Sequence, residues 1–186
     1  MKKIEYIYDL IDKSNVTLIG YSFGVERIKD ELISKIPCYK LGEISSSFSI
    51  KSYLRDFKLE KILNNEYFNF KYLVFDINDI RTDVDIMSRI KTIKGIINSI
   101  REDMYKVKVP YKLIISCPVF KSIADLNTFT GGTSPLYLAD FAFVIQDPKL
   151  LSSYNIKVIK NRHDIERDIL VSIDDIKQYN YLVNQD

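Results

Sequence analysis

The sequence predicts an α/β fold: a three-layer sandwich with a mainly parallel central sheet that ends in an antiparallel hairpin. Three observations lead there. Apolar, β-branched runs alternate with segments of helical periodicity, and strand–helix–strand alternation yields parallel strands between helical layers. Runs such as LVFDI and LIIS are apolar without alternation, as strands covered on both faces are. The last two strand-like runs are separated only by NRHDIE, too short for a crossover helix, so they pair as a hairpin.

The elements follow in order. Val16 to Ile19 opens a strand over 16–21, and a helix from near Val25 covers 25–36. A strand at 38–41 leads to a helix over roughly 48–64 and then to the strand 71–77, KYLVFDI. The longest helix, 83–106, places Ile86, Ile90, Ile93, Ile97, Ile100 and Met104 at alternating spacings of four and three, one face packed on a sheet. Arg89, Lys91, Lys94 and Arg101 fall on or near its wet side. Strands at 111–117, 141–145, 155–160 and 168–173 complete the sheet, and the loop NTFTGGTSPLYLAD reads as mobile.

Composition bounds the answer further. A chain of 186 residues, 46% apolar and 28% charged, suits one domain over 1–186 with a sizeable core. A net charge of +2 gives no global case for nucleic acid, so any basic footprint is local. Cys38 and Cys117 sit in apolar strands and read as reduced thiols, and a lone histidine, His163, excludes an ordinary His-based zinc cluster. Glu5, Asp9 and Asp12 interrupt the N-terminal apolar residues, so no signal peptide is expected there. No run approaches the about 18 uncharged residues of a membrane helix. The expected chain is soluble and cytoplasmic, with no membrane partner.

Residues 16–27, VTLIGYSFGVER, have the layout of a phosphate-binding loop without the residues that grip phosphate. Such a loop reads G-x-x-x-x-G-K-[ST], its lysine reaching the β/γ oxygens and its hydroxyl holding magnesium. With Gly20 first, Val25 stands at the second glycine, Glu26 at the lysine and Arg27 at the hydroxyl; Gly24 is one place early. A charge about 4 Å from a phosphate oxygen contributes about 4 kcal/mol at an effective dielectric of about 20. Exchanging attraction for repulsion by Glu26 therefore works against ordinary ATP hydrolysis.

Residues past the carboxyl ends of parallel strands are the natural ligand contacts. Asp76 ends a strand there, either facing the crevice or capping a turn toward Asn78 and Asp79. Glu43, in LGEISSS, either polarises a water or is merely solvated. Lys160 and Arg162 leave one face of a strand end, suited to phosphate oxygens, a neighbouring subunit or plain solvent. Thr130, Gly131, Gly132 and Thr133 could contact a nucleic-acid backbone, yet no cation lies between Lys121 and Lys149. The thirteen tyrosines and ten phenylalanines read as core and rim.

The ordered pieces (the glycine turn, LGEIS, YLVFDIND, the long helix, VPYKLIISCPV, TGGTSPLYLADFAFVIQD and IKVIKNRHD) resemble the RecA-type ATPase core, most of all DnaB-like replicative helicases. The resemblance spans about residues 14–174. It implies a P-loop NTPase fold, places the catalytic glutamate at Glu43 and the magnesium-side aspartate at Asp76, and matches Lys160 and Arg162 to a pair that acts across a ring interface. The family's Gly-rich loop before Ala-Asp matches Gly131 through Asp140. The departures are the phosphate loop and Ser116–Cys117 where a Ser-Gln-like pair is usual. The expectation is a catalytically degenerate helicase-like pseudoenzyme, an assembly or binding subunit in DNA replication or recombination, from a phage or other virus or from an AT-rich microbe. It needs no cofactor and binds a protein partner or further copies of itself, with nucleic acid a further candidate. The alternatives are a divergent active NTPase using ATP and magnesium, with Arg27 or Lys29 bending back to the phosphate, and a structural virion protein.

Overall fold

In the computed structural model, the residues described are 3–22, 24–41, 72–79, 91, 94–96, 98–99, 102, 112–119, 134–150, 153–163 and 169–179. The expected helix at 48–64 lies outside them, as do Glu43 and Thr130–Thr133. Seven strands form one sheet in the order β2-β3-β4-β1-β5-β6-β7. They are β1 Val16–Tyr21, β2 Cys38–Lys40, β3 Tyr72–Asp76, β4 Lys112–Pro118, β5 Phe141–Leu150, β6 Ser153–Asn161 and β7 Ile169–Ser172. The first five run parallel, and β5-β6-β7 form an antiparallel meander. The hairpin of β6 with β7 is as expected. The pairing of β5 with β6 is additional, because β5 runs on to Leu150, well past the expected end at 145.

Helices cover both faces. Over one face lie α1 Lys3–Lys13, α2 Glu26–Ser34 and α4 Ile173–Gln178. Ile4, Ile7, Leu10 and Ile11 of α1 are fully buried there against inward residues of the sheet such as Phe143 and Ile145. Burying each such side chain contributes about 1.5–3 kcal/mol. That i, i+3, i+4 stripe is a helix signature the sequence reading passed over. α4 starts on a capping box, in which the Ser172 hydroxyl accepts from the Asp175 amide while the Asp175 carboxylate accepts from the Ser172 amide. Tyr8 of α1 stacks on Tyr179 just past α4, with ring centroids 4.1 Å apart, and its hydroxyl donates to the Leu32 carbonyl of α2.

The opposite face carries α3 Ser134–Leu138 and helical residues between 91 and 102. Ile96 is the buried anchor there, one turn from the expected Ile93 and Ile100, while Lys91 and Lys94 are exposed as expected. A short helix thus corrects the expectation of a structureless loop through 134–138. Its Leu136 is buried with Leu18, Phe75 and Ala142, an apolar contact strong enough to override the local glycine and hydroxyl composition.

One irregularity positions later residues. The register of β5 with β6 pairs Ala142 with Lys160 but Phe143 with Val158, leaving Ile159 as the extra residue of a bulge. Val158 belongs to the first face, whereas Ile159 and the partner of Lys160, Ala142, belong to the second.

Candidate functional site

A cleft of about 400 Å³ opens where the carboxyl ends of β1, β3 and β4 meet α2. Register brings Asp76 beside Ser116, and Ser116 beside Ile19 of β1. Tyr21, Glu26, Lys29, Lys40, Asp76 and Asp79 contribute its polar wall.

Asp76 is the hub of that wall. Its Oδ2 accepts from the Ser116 hydroxyl at 2.7 Å, the Tyr21 hydroxyl at 2.9 Å and the Lys29 ammonium at 3.1 Å. Its Oδ1 accepts from the Asn78 amide at 2.8 Å, and the Asn78 side chain in turn donates to the Tyr21 hydroxyl at 3.0 Å. Asp76 therefore does both things considered for it, facing the cleft and capping the 3₁₀ turn Ile77–Asp79. Lys29 reaches the aspartate because side chains on a helix lean toward its N-terminus. On the way its ammonium passes 4.4 Å from the Tyr21 ring centroid, and it also lies 3.4 Å from Asp30. The sequence places Lys29 a turn beyond the phosphate loop; in the fold it is the central cation of the cleft. Burial, then the Asp76 charge and the hydrogen bond to it, hold the Tyr21 phenol well above its ordinary range. Burial and the neighbouring Asp76 likewise raise Asp79.

The loop from β1 to α2 is short and internally paired. Gly24 adopts φ 95°, a left-handed conformation that costs glycine little. Its amide donates to the Glu26 carboxylate at 2.9 Å. The Ser22 amide donates across to Ile145 of β5, and the Val25 amide donates to the Ser22 carbonyl. At the start of α2, then, a side-chain carboxylate of the chain itself stands where an anion would be received. Val25 caps the helix without a side-chain bond, and Arg27 is exposed.

Magnesium, which the fold implies, does not suit this donor set. The strand-end carboxylate of Asp76 takes four hydrogen bonds, one of them from an ammonium, and Arg27, exposed in the first turn of α2, stands where the motif has its ligating hydroxyl. Hard cations need oxygen ligands, and neither guanidinium nor ammonium supplies one.

Lys160 and Arg162 are four strand positions from Asp76, about 19 Å at ordinary strand spacing. Both turn onto the segment that precedes β5. The Lys160 ammonium donates to the Leu136 carbonyl at 2.6 Å, and the Arg162 guanidinium to Asp140 at 2.8 Å. Burial and Arg162 lower the pKa of Lys160, while Asp140 opposes them. Asp140 also accepts from the Asn15 and Val16 amides at 3.1 and 3.2 Å, tying β1, β5 and β6 together. His163 is exposed and sits 3.1 Å from Ser14, whose hydroxyl already donates to Leu10, so Nε2 is the donor. Sequence reasoning passed over the clasp at Asp140 and the roles of Tyr21 and Lys29. The apolar-to-Asp step at 139–140 was the one available signal. Among the described residues no group of acidic, His and Cys side chains is arranged to hold a metal, and no helix is long and apolar enough to cross a membrane.

No protein-family model matches the chain, and no curated protein matches it. Solved structures do. One is an ATPase domain, 10% identical, with a TM-score of 0.55 over 89% of this chain and 84% of that one. Another is a DnaB-like replicative helicase described with its interactions with primase, 9% identical, with a TM-score of 0.54 over 85% of this chain. The chain spans 55% of that helicase. These likenesses show the fold alone: the RecA-like α/β fold that a DnaB-like helicase also has.

Proposed function

We propose, from a RecA-like fold whose cleft has its anion and metal contacts taken by the chain's own side chains, that this chain is a catalytically degenerate helicase-like protein. It acts as a binding or assembly subunit in DNA replication or recombination. The observation that carries this reading is the pairing of Asp76 with Lys29, Tyr21, Ser116 and the Asn78 amide. The Glu26 carboxylate on the Gly24 amide supports it, since an incoming phosphate would have to displace a tethered anion. Lys160 and Arg162, remote from the cleft, suit contact with another subunit's nucleotide, once released from Leu136 and Asp140. A phage or other viral source, self-association and contact with nucleic acid belong to the same reading.

The cleft itself favours a second reading, a divergent NTPase in which Lys29 lets go of Asp76 to meet a phosphate. Isothermal titration of the wild-type chain with ATP and magnesium separates the two. The proposal expects no saturable heat at micromolar concentrations. Micromolar binding that disappears in Asp76→Ala would replace it with the divergent enzyme.

A further inference from the structure

We propose that Lys29 is a tethered counter-ion taking the place of a diffusible divalent cation at Asp76, so that the cleft excludes metal-borne ligands for as long as the ammonium stays. The inference rests on the reading of the cleft given above and concerns what closes it.

Lys29 is the single charged residue buried among the described residues, 9% exposed, and its Nζ lies 3.1 Å from an aspartate whose side chain is 13% exposed. Two buried opposite charges depend on each other: removing one leaves the other desolvated without compensation. The ammonium is held from several sides, by Asp76, by Asp30 at 3.4 Å and by the Tyr21 ring face. It belongs to the chain, so dilution does not remove it. Around it the cleft carries Glu26, Asp30, Asp76 and Asp79 against Lys29 and Lys40. A divalent cation approaching Asp76 therefore meets a like charge a few ångströms away, within a wall whose acids would otherwise attract it. Lys40 cannot substitute, since its side chain is 62% exposed and among the described residues it pairs with Asp30 at 3.9 Å.

Manganese is the probe, followed by electron paramagnetic resonance as loss of the free-ion signal. Wild type and Lys29→Arg are expected to take up no Mn²⁺ in the micromolar range. Lys29→Met is expected to gain one site, at least about tenfold tighter than any uptake by wild type, as removal of a like charge at short range implies. Lys29→Met/Asp76→Asn is expected to lose it. Lys29→Gln, which keeps a hydrogen-bond donor for Asp76, serves if Lys29→Met does not fold. Mn²⁺ uptake by wild type through Asp76 overturns the proposal, and so does a folded Lys29→Met or Lys29→Gln chain that gains no site. These outcomes are independent of the ATP titration: wild type that binds neither ATP nor Mn²⁺, with no gain in the variants, refutes the counter-ion and leaves the degenerate subunit standing.

Discussion

Replacing Asp140 by alanine removes the clasp where three strands begin or end. The Asp140 carboxylate accepts from Asn15, Val16 and Arg162. The Arg162 side chain is 57% exposed, so its ion pair contributes about 0–1 kcal/mol after solvent screening. Val16 is buried, and an amide left there without an acceptor costs about 1–3 kcal/mol. Asn15 is exposed and water replaces its partner. The expected loss is thus about 1–4 kcal/mol, most of it from one backbone amide. In urea, with a slope of about 2 kcal/mol per molar, the midpoint falls by about 0.5–2 M at unchanged slope. Asp140→Asn retains an acceptor oxygen for the amides and is expected to lose only about 1 kcal/mol, as is Arg162→Met. An Asp140→Ala chain within about 0.5 kcal/mol of wild type, or Asp140→Asn as damaging as alanine, would refute the assignment of the cost to Val16.

Further outcomes follow from the same structure. Tyr8, Tyr21 and Tyr179 all have phenol pKa values raised by burial above the ordinary 10.0. The unfolded chain therefore releases those protons first, so stability is full below pH 10 and declines as the pH rises above it. Tyr8 alone accounts for about 1.4 kcal/mol per pH unit there, and urea titrations of Tyr8→Phe between pH 9 and 11 are expected to show a shallower decline. Glu26→Ala removes the acceptor for Gly24 and a negative charge at the start of α2, with an expected loss of about 0.5–1 kcal/mol in thermal or urea unfolding. Glu26→Gln recovers part of that loss, because its amide oxygen still accepts.

The sheet was legible because its strands are long apolar runs: VTLI, YLVFD and LIIS carry their own burial signal. The short helices were not. α3 spans five residues within a Gly- and Ser-rich stretch, and its formation depends on Leu136 finding the sheet. α4 announced itself through Ser172 and Asp175, a capping-box spacing that is easily passed over at the end of a strand. β5 continues past the expected end at 145 although Asp147-Pro148 argues against a strand; its ladder with β6 is irregular after Gln146 and resumes at Leu150 with Ser153. At the cleft, Asp76 was readable from its place at a strand end. Its principal partner was not, since Lys29 lies 47 residues earlier and only the packing of α2 brings them together. The same holds for Asp140 and the Asn15 amide, 125 residues apart.

The extra residue in β6 fixes which helical layer its terminal lysine addresses. A one-residue slip moves a strand's side chains to the other face, and a bulge absorbs the extra residue so that the pairs beyond it keep theirs. Removing Ile159 would restore strict alternation directly after Val158 and leave Lys160 opposite Ala142, on the layer of the Leu136 carbonyl, whereas flattening the bulge at full length would turn its ammonium toward the layer built by α1 and α2. The count of residues between Val158 and Arg162 is therefore a ruler for homologues: chains one residue shorter there should run without the bulge and keep their terminal cation on the same side of the sheet, while chains of equal length without a bulge should carry it on the other.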